Sequence, residues 1–551
     1  MDLSELFPYS INKKYRTPVA YFSMEFGIDQ ALKIYSGGLG FLAGSHMRSA
    51  YELRQNLVGI GILWKYGYYD QIRNRDGTLG TAYTQKDYYF LEDTGIRFTI
   101  SIHRHPVHVR VWLLRPEIFQ TAPIFLLSTD MPENDFLAQT ICHRLYDNHE
   151  SARVAQSILL GMGGAKLLDI LGRETEIYHM NEGHALPLCF YLLKKFNQDV
   201  SEVRRRVVFT THTPEAAGNE VHNTATLDVM GFFQDAPEAT VRWLAEDDTR
   251  FNYTLAALRL AVRANAVSAL HGKVSREMWS EFQGCCTITE ITNAQNRNFW
   301  MDEQLEACHA RGNAEGIMSR KKELKRELFR VVADQTGRIF QEDVLTIVWS
   351  RRFAAYKRAD LLLRDMEKFR ELVTNRDMPV QIIWAGKPYP EDHTSIEVFN
   401  SIFFRTKEFA NCAVLTGYEI GLSGLLKRGS DVWLNNPRIY REASGTSGMT
   451  AAMNASLNLS IADGWVPEFA HHGKNCFIIP HAPDGTSIEE RDQQECISLY
   501  QVLHDEVLPA YYLKPRTWAR MIMQSMSEIV PAFDSGRMAE EYYRKLYSPE
   551  D

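Results

Sequence analysis

Two kinds of residue stand out along this chain: cations gathered just after an apolar run, and small residues interleaved with an acid. Arg351-Arg352 and Lys357-Arg358 place four cations in eight residues directly after the run Val344–Trp349. Such a cluster repels itself unless an anion sits there, so it reads as an anion site; a solvated helix start is the plainer alternative. The stretch Glu442-Ala443-Ser444-Gly445-Thr446-Ser447-Gly448 follows a second apolar run, Asp431–Leu434. Its small residues permit backbone N–H groups to cradle an anion at a helix start; otherwise it is an ordinary loop with Glu442 a surface acid. A glycine-rich turn, Ser36-Gly37-Gly38-Leu39-Gly40, precedes a helix starting near Phe41. Glycine turns also serve tight packing, so this one alone decides nothing. His212 follows the run Val207–Thr211 and opens His212-Thr213-Pro214-Glu215. A satisfied core histidine is the commoner case for a single histidine. Gly386-Lys387 closes the run Val380–Ala385.

These groups share one feature, a place just after a short apolar segment. Candidate strands are Val19–Phe26, Val207–Thr211, Val344–Trp349, Val380–Ala385, Asp431–Leu434 and Asn458–Ile461. Several are apolar at nearly every position, which suits strands covered on both faces of a parallel sheet. Helical patterns lie between them, including Ala152–Leu171, Gly316–Asp334 and Ala359–Thr374. Alternating β and α over this length predicts a doubly wound α/β architecture built twice. Open α/β sheets bind ligands at the carboxyl ends of their strands, where the unusual polar residues here gather. The boundary is placed near Asn293–Trp300, giving lobes 1–293 and 294–551, with the last helical pattern, Arg537–Leu546, read as able to return to the first lobe.

Composition excludes several classes. At 551 residues the chain is too long for one ordinary core. Hydrophobic residues make up 45% and charged residues 24%, the balance of a soluble globular protein. A net charge of −8 and a pI near 6.1 argue against a nucleic-acid partner. No apolar run is long enough to span a bilayer, and the opening MDLSELFPYSINKK has no apolar core of a secretory signal. The eight cysteines are sparse and form no CxxC pair, which points to reduced thiols and a cytoplasmic location. His103, His105 and His108 could suggest a metal, but Pro106 interrupts them and no acid or cysteine joins them, so no metal is expected. His471-His472 reads as loop lining and Arg204-Arg205-Arg206 as a solvated turn.

Taken in chain order, the segments YFSMEFGI, YSGGLGFLAG, NEGHALPL, FTTHTPEAAGNEVH, ITNAQNRNFW, RRFAAYKRADLLL, QIIWAGKPYPED and EASGTSGMTAAMN resemble the α-glucan (glycogen, starch, maltodextrin) phosphorylase family in its shorter bacterial branch. They run from residue 19 to about residue 465, most of the chain. The resemblance implies a two-lobed glycosyltransferase B-type fold with the active site in the cleft between lobes. It implies retaining transfer of an α-glucosyl unit between an α-glucan or maltooligosaccharide and phosphate, giving glucose 1-phosphate. Carried over residue by residue, the family's phosphate-binding arginine and lysine match Arg352 and Lys357. Its glycine loop matches Gly37, Gly38, Leu39 and Gly40. The histidine whose backbone carbonyl faces the reacting sugar resembles His212. The sugar-hydroxyl partners resemble Asn293, Glu442, Ser444 and Gly445, while Glu182 and His184 match a loop near the site. Fixed cations and N–H groups suit this chemistry, because they hold a leaving phosphate without rearranging in the transition state.

One departure matters. The family holds pyridoxal phosphate through a lysine eight residues after the glutamate, and here that frame places Thr450. Thr450 has no amine, so no covalent cofactor is expected, and loosely held pyridoxal phosphate is not favoured. Glu419, after Tyr418, also stands where the long enzymes carry a basic residue, and an acid there repels a phosphate unless it is paired. Three readings follow: a phosphorylase; a transferase using a sugar nucleotide, whose diphosphate resembles the sum of cofactor and substrate phosphates; and a non-catalytic glucan-binding relative. The retained Arg352, Lys357, His212, Asn293 and Glu442 count against the third. A homo-oligomer is left open.

Overall fold

The computed structural model describes residues 5–215 and 218–548; Ala216 and Ala217, inside the motif that follows His212, lie outside the described residues. In chain order the strands are β1 (Val19–Phe22), β2 (Leu57–Ile62), β3 (Asp70–Arg73), β4 (Leu79–Ala82), β5 (Glu92–Ile102), β6 (His105–Leu114), β7 (Ile124–Ser128), β8 (Ile177–Asn181), β9 (Val207–Thr210), β10 (Val221–Asn223), β11 (Arg250–Asn252), β12 (Arg263–Ala266), β13 (Thr287–Glu290), β14 (Leu345–Ser350), β15 (Val380–Ala385), β16 (Cys412–Leu415), β17 (Val432–Asn435), β18 (Leu457–Ser460) and β19 (Phe477–Ile478). The chain divides into two compact units, one of Met1–Tyr69, Tyr83–Asn293 and Ser535–Asp551, the other of Asp70–Ala82 and Ala294–Asp534.

The first unit is built on a sheet of order β13-β12-β9-β8-β1-β2-β7-β6-β5. Pairing is parallel from β13 to β7, and β6 and β5 add an antiparallel edge. The second unit has the order β16-β15-β14-β17-β18-β19, parallel throughout. Both units are Rossmann-like. Each sheet begins in its middle and winds outward in one direction and then the other. The order therefore reverses between β1 and β8 in the first unit and between β14 and β17 in the second. Such switch points are where open α/β sheets hold ligands, outside the carboxyl ends of the strands. Every residue of β14 and β15 is buried, as expected for strands covered on both faces.

Several boundaries differ from the sequence reading, each for a local reason. The strand expected over Val19–Phe26 stops at Phe22, where the Ser23 hydroxyl donates to the Glu25 carbonyl at 2.8 Å and the chain turns. The helix expected over Ala359–Thr374 is α-helical only at Met366–Thr374, because Arg358 is left-handed (φ 49°) and a 3-10 turn, Leu361–Leu363, intervenes. The helix expected over Ala152–Leu171 contains a wide π turn, Leu159–Gly163. The charged helix, Ala314–Thr336, buries Lys321, whose ammonium donates to the carbonyls of Arg428, Ser430 and Asn454 at 2.6, 2.7 and 2.8 Å.

The expected first lobe, 1–293, is also interrupted. The β3–β4 hairpin belongs to the second unit, where the Gln71 amide donates to the Gly386 carbonyl (2.8 Å) and accepts from the Tyr418 N–H (3.0 Å). The last segment, Ser535–Asp551, falls in the first unit. There the Ser535 and Ser49 hydroxyls lie 2.6 Å apart, and the Tyr547 hydroxyl meets His179 Nδ1 at 2.6 Å. His103 sits at the tip of the β5–β6 hairpin in a left-handed conformation, stacked beside His105. Among the described residues no group of three or more His, Cys, Asp or Glu could hold a metal ion. Nor is any helix of these residues long and apolar enough to cross a membrane.

Candidate active site

In the first unit a chain of hydrogen bonds ties together the ends of β1, β8 and β9. The Glu25 carboxylate, just beyond β1, accepts from the Ser36 N–H (2.6 Å), the Gly37 N–H (3.2 Å) and the Tyr146 hydroxyl (2.8 Å). The glycine-rich turn therefore opens its helix, Gly38–Glu52, against an internal carboxylate. A Cβ on Gly40 would lie 2.7 Å from Tyr35 Cβ and 2.6 Å from Glu25 Oε2, so a larger residue there would displace both. A Cβ on Gly37 or Gly38 would meet nothing within 4 Å, so that side of the turn is open. The N–H groups of Ser36 and Gly37 are engaged by Glu25, whose charge also offsets the positive end of the helix. Sequence reasoning quoted Glu25 within YFSMEFGI but gave it no role. An acid in an otherwise apolar stretch after a strand was the available signal.

Beyond β8, Glu182 has φ 71° and ψ 171°, a conformation that costs a non-glycine residue on the order of 1–3 kcal/mol. Its carboxylate accepts from the His212 backbone N–H at 2.8 Å. Burial pushes the carboxyl up to about 7, against the hydrogen bonds it accepts. The His212 ring pairs through Nε2 with Asn181 Oδ1 (2.7 Å), and the Asn181 amide donates to the Ser23 hydroxyl (3.1 Å). Burial lowers His212 to about 3, so its imidazole is neutral and satisfied. His184 Nδ1 and Asn293 Oδ1 are buried with no hydrogen-bond partner among the described residues. An orphaned buried polar atom costs about 1–3 kcal/mol and calls for an explanation, of which a ligand hydroxyl is one.

In the second unit the sequence argument about four mutually repelling cations needs correction. Arg358 is buried and engaged by Asp492 (3.0 Å) and Glu495 (2.6 Å), so it is a structural ion. Arg351 turns inward, donating to the Leu434 carbonyl at 2.8 Å. Lys357, in the turn Ala355–Lys357, meets Glu442 Oε1 at 3.0 Å, with both side chains largely buried. Arg352 is exposed at the carboxyl end of β14. Much of the repulsion is thus relieved by protein acids and carbonyls rather than by one shared anion. The second oxygen of Glu442, Oε2, is buried without a partner among the described residues. Ser444 is buried and Gly445 is left-handed (φ 76°), which turns the chain into the helix Ser447–Met453. The structure therefore brings Lys357, Glu442, Ser444 and Gly445 to the β14/β17 switch point. It brings Glu182, His184, His212 and the glycine turn to the β1/β8 switch point.

Thr450, where the resemblance places the family's cofactor lysine, has no amine to form an imine. Thr450 is fully buried in the second turn of its helix, and its hydroxyl donates back to the Ser447 carbonyl at 3.0 Å. Lys387, a lysine after a neighbouring strand, lies 3.6 Å from Glu419. That pairing answers the concern about an uncompensated acid at Glu419 and engages the amine.

No family model matches the chain. A protein of Methanocaldococcus jannaschii described as uncharacterized is 44% identical over 531 residues, covering 96% of this chain and 99% of that one. The maltodextrin phosphorylase of Thermococcus litoralis is 33% identical over 593 residues, covering 97% of this chain and 71% of the relative. The glycogen phosphorylase of Aquifex aeolicus is 32% identical over 607 residues, covering 97% and 86%.

Proposed function

The chain belongs to the α-glucan phosphorylase family, and from that premise we propose that it is a retaining α-glucosyl transferase converting α-glucan and phosphate to glucose 1-phosphate. The observation that carries the reading is the 3.0 Å contact between Lys357 and Glu442. It supports the reading because the proposed phosphate cation and the proposed sugar-hydroxyl acceptor are direct neighbours.

In this reading Arg352 and Lys357 hold the phosphate. Being fixed, they stabilise the charge exchanged between phosphate and glycosidic oxygen without reorganising. Lys357 then shares its charge between the phosphate and Glu442. Within the second unit, Glu442 Oε2 accepts a sugar hydroxyl, and Ser444 and Gly445 lie on the same loop. Within the first unit, Glu182 fixes the His212 peptide through its N–H, and the family resemblance gives that carbonyl and Asn293 Oδ1 their sugar-facing roles. Orienting the ring and the phosphate together supplies the proximity term of the barrier. No step is routed through pyridoxal phosphate, because Thr450 has no amine to hold it covalently.

A sugar-nucleotide donor is the second reading, favoured by one observation: with Thr450 turned back on its helix, no residue at that position anchors a cofactor whose phosphate would stand beside the substrate's. Thermal shift with glucose 1-phosphate, ADP-glucose and UDP-glucose separates the two, since a specific ligand stabilises by mass action. Stabilisation by glucose 1-phosphate, with turnover of maltooligosaccharide and phosphate, supports the proposal. Stabilisation and turnover by a sugar nucleotide alone would replace it.

A further inference from the structure

The loop that carries Glu442 is held by a second loop, and the clasp is one carboxylate. Asp463 follows β18 and is 1% exposed. Its Oδ2 accepts from the backbone N–H groups of Glu442 (2.9 Å) and Arg441 (3.1 Å), and its Oδ1 from that of Gly464 (2.9 Å). Two residues on, the Trp465 N–H donates to the Ser444 carbonyl at 3.1 Å. Gly464, left-handed at φ 60°, makes room for that contact: a Cβ there would lie 2.2 Å from the Ser444 oxygen. Residues 441–444 are thus zipped to residues 463–465 by the Asp463 carboxylate and one backbone hydrogen bond. The Glu442 side chain projects from the zipped segment to Lys357.

We propose that Asp463 is a positioning residue for glucosyl transfer, acting through the Glu442 peptide. The inference rests on the function proposed above for Glu442. A carboxylate that accepts the N–H of Glu442 itself fixes where that side chain begins. Glu442 must keep one oxygen on Lys357 and present the other to a substrate, a geometry that tolerates little movement of its backbone. Asp463→Asn keeps the size but replaces one acceptor oxygen with an amide donor facing a backbone N–H. It breaks the clasp on one side while leaving Arg352 and Lys357 untouched.

The test is a double-mutant cycle with Glu442→Gln. Asp463→Asn alone should lower kcat by 10-fold or more, with the KM for phosphate changed less than threefold. In the Glu442→Gln background the same change should cost less than threefold, because the residue it acts through is already lost. Equal losses in both backgrounds would show a general structural role and overturn the proposal. Amide hydrogen exchange is the second readout and needs no turnover. Residues 441–445 should be protected in the parent and exchange faster in Asp463→Asn, with the rest of the sheet unchanged. Unchanged protection of 441–445 would overturn the proposal even if the parent proves inactive on every donor, an outcome that would separately end the functional reading. Should Asp463→Asn not fold, Gly464→Ala opens the same zip at its Ser444 contact and is held to the same two criteria.

Discussion

At the scale of single residues, neighbouring cations have opposite surroundings. Arg352 is exposed, whereas Arg358 is buried against Asp492 and Glu495. Arg352→Ala should leave stability within about 0.5 kcal/mol and remove about 3 kcal/mol of transition-state stabilisation, over 100-fold in turnover. Arg358→Ala strips the buried Glu495 of its ion pair, while Asp492 keeps Arg364 and Arg438, and should cost about 3 kcal/mol of stability. Thermal unfolding and initial rates on the two variants check the contrast, and the reverse pattern would mean that the phosphate cation is misassigned. Asp463 adds a pH signature. Burial raises its carboxyl to about 6, and the nearby Glu442 charge adds to the rise, against the three N–H groups it accepts. A folded-state value above the unfolded one means that its stabilising share is full below about pH 4 and lost as pH rises through 6. Asp463→Asn lacks that loss. Its stability relative to the parent should therefore improve by up to about 3 kcal/mol between pH 4 and pH 7. Denaturant midpoints measured across that range test the sign. Lys357 and Glu442, 85 residues apart in sequence, were each legible as candidates, but their pairing was not. Nothing local in the sequence encodes a contact made by two loops on different strands.

Elements were more legible than contacts. Val380–Ala385 reads as a strand to the residue because every position is apolar or buried and the run ends in a glycine. That glycine has a reason to be there: Gly386 has φ 152°, and a Cβ would fall 1.8 Å from the Arg351 carbonyl oxygen. Gly386→Ala should cost at least about 2–3 kcal/mol and disturb the end of β14, from which Arg352 springs. A variant with the parent's melting temperature and phosphate affinity would contradict this. The helix expected over Ala359–Thr374 was overcalled, since its 3.6-residue pattern continues through a stretch that the buried Arg358 ion network pulls out of helical geometry. The β3–β4 hairpin was missed as part of the second unit because its anchors, Gly386, Tyr418 and Val414, are more than 300 residues away. Local patterning does not report which unit a two-stranded hairpin packs against.

At the scale of the whole molecule, the account is of two Rossmann-like units with polar residues at the switch point of each, in a member of the α-glucan phosphorylase family. The departure at Thr450 gives one prediction at this scale. After incubation with pyridoxal phosphate and borohydride reduction, intact mass should show no stoichiometric gain, because an internal aldimine needs a lysine amine at the cofactor carbon. A gain mapped to one lysine would reverse that reading. Thr450→Lys alone should not confer tight cofactor binding, since the position is fully buried within its helix and Glu419 with Lys387 occupies the neighbouring strand end. The most direct measurement of the central claim is phosphorus NMR of the purified chain with maltooligosaccharide and inorganic phosphate. The account predicts the growth of an α-glucose 1-phosphate resonance at the expense of phosphate, lost in Arg352→Ala. No sugar phosphate formed, no glucan made from glucose 1-phosphate, and transfer from ADP-glucose or UDP-glucose instead would contradict it.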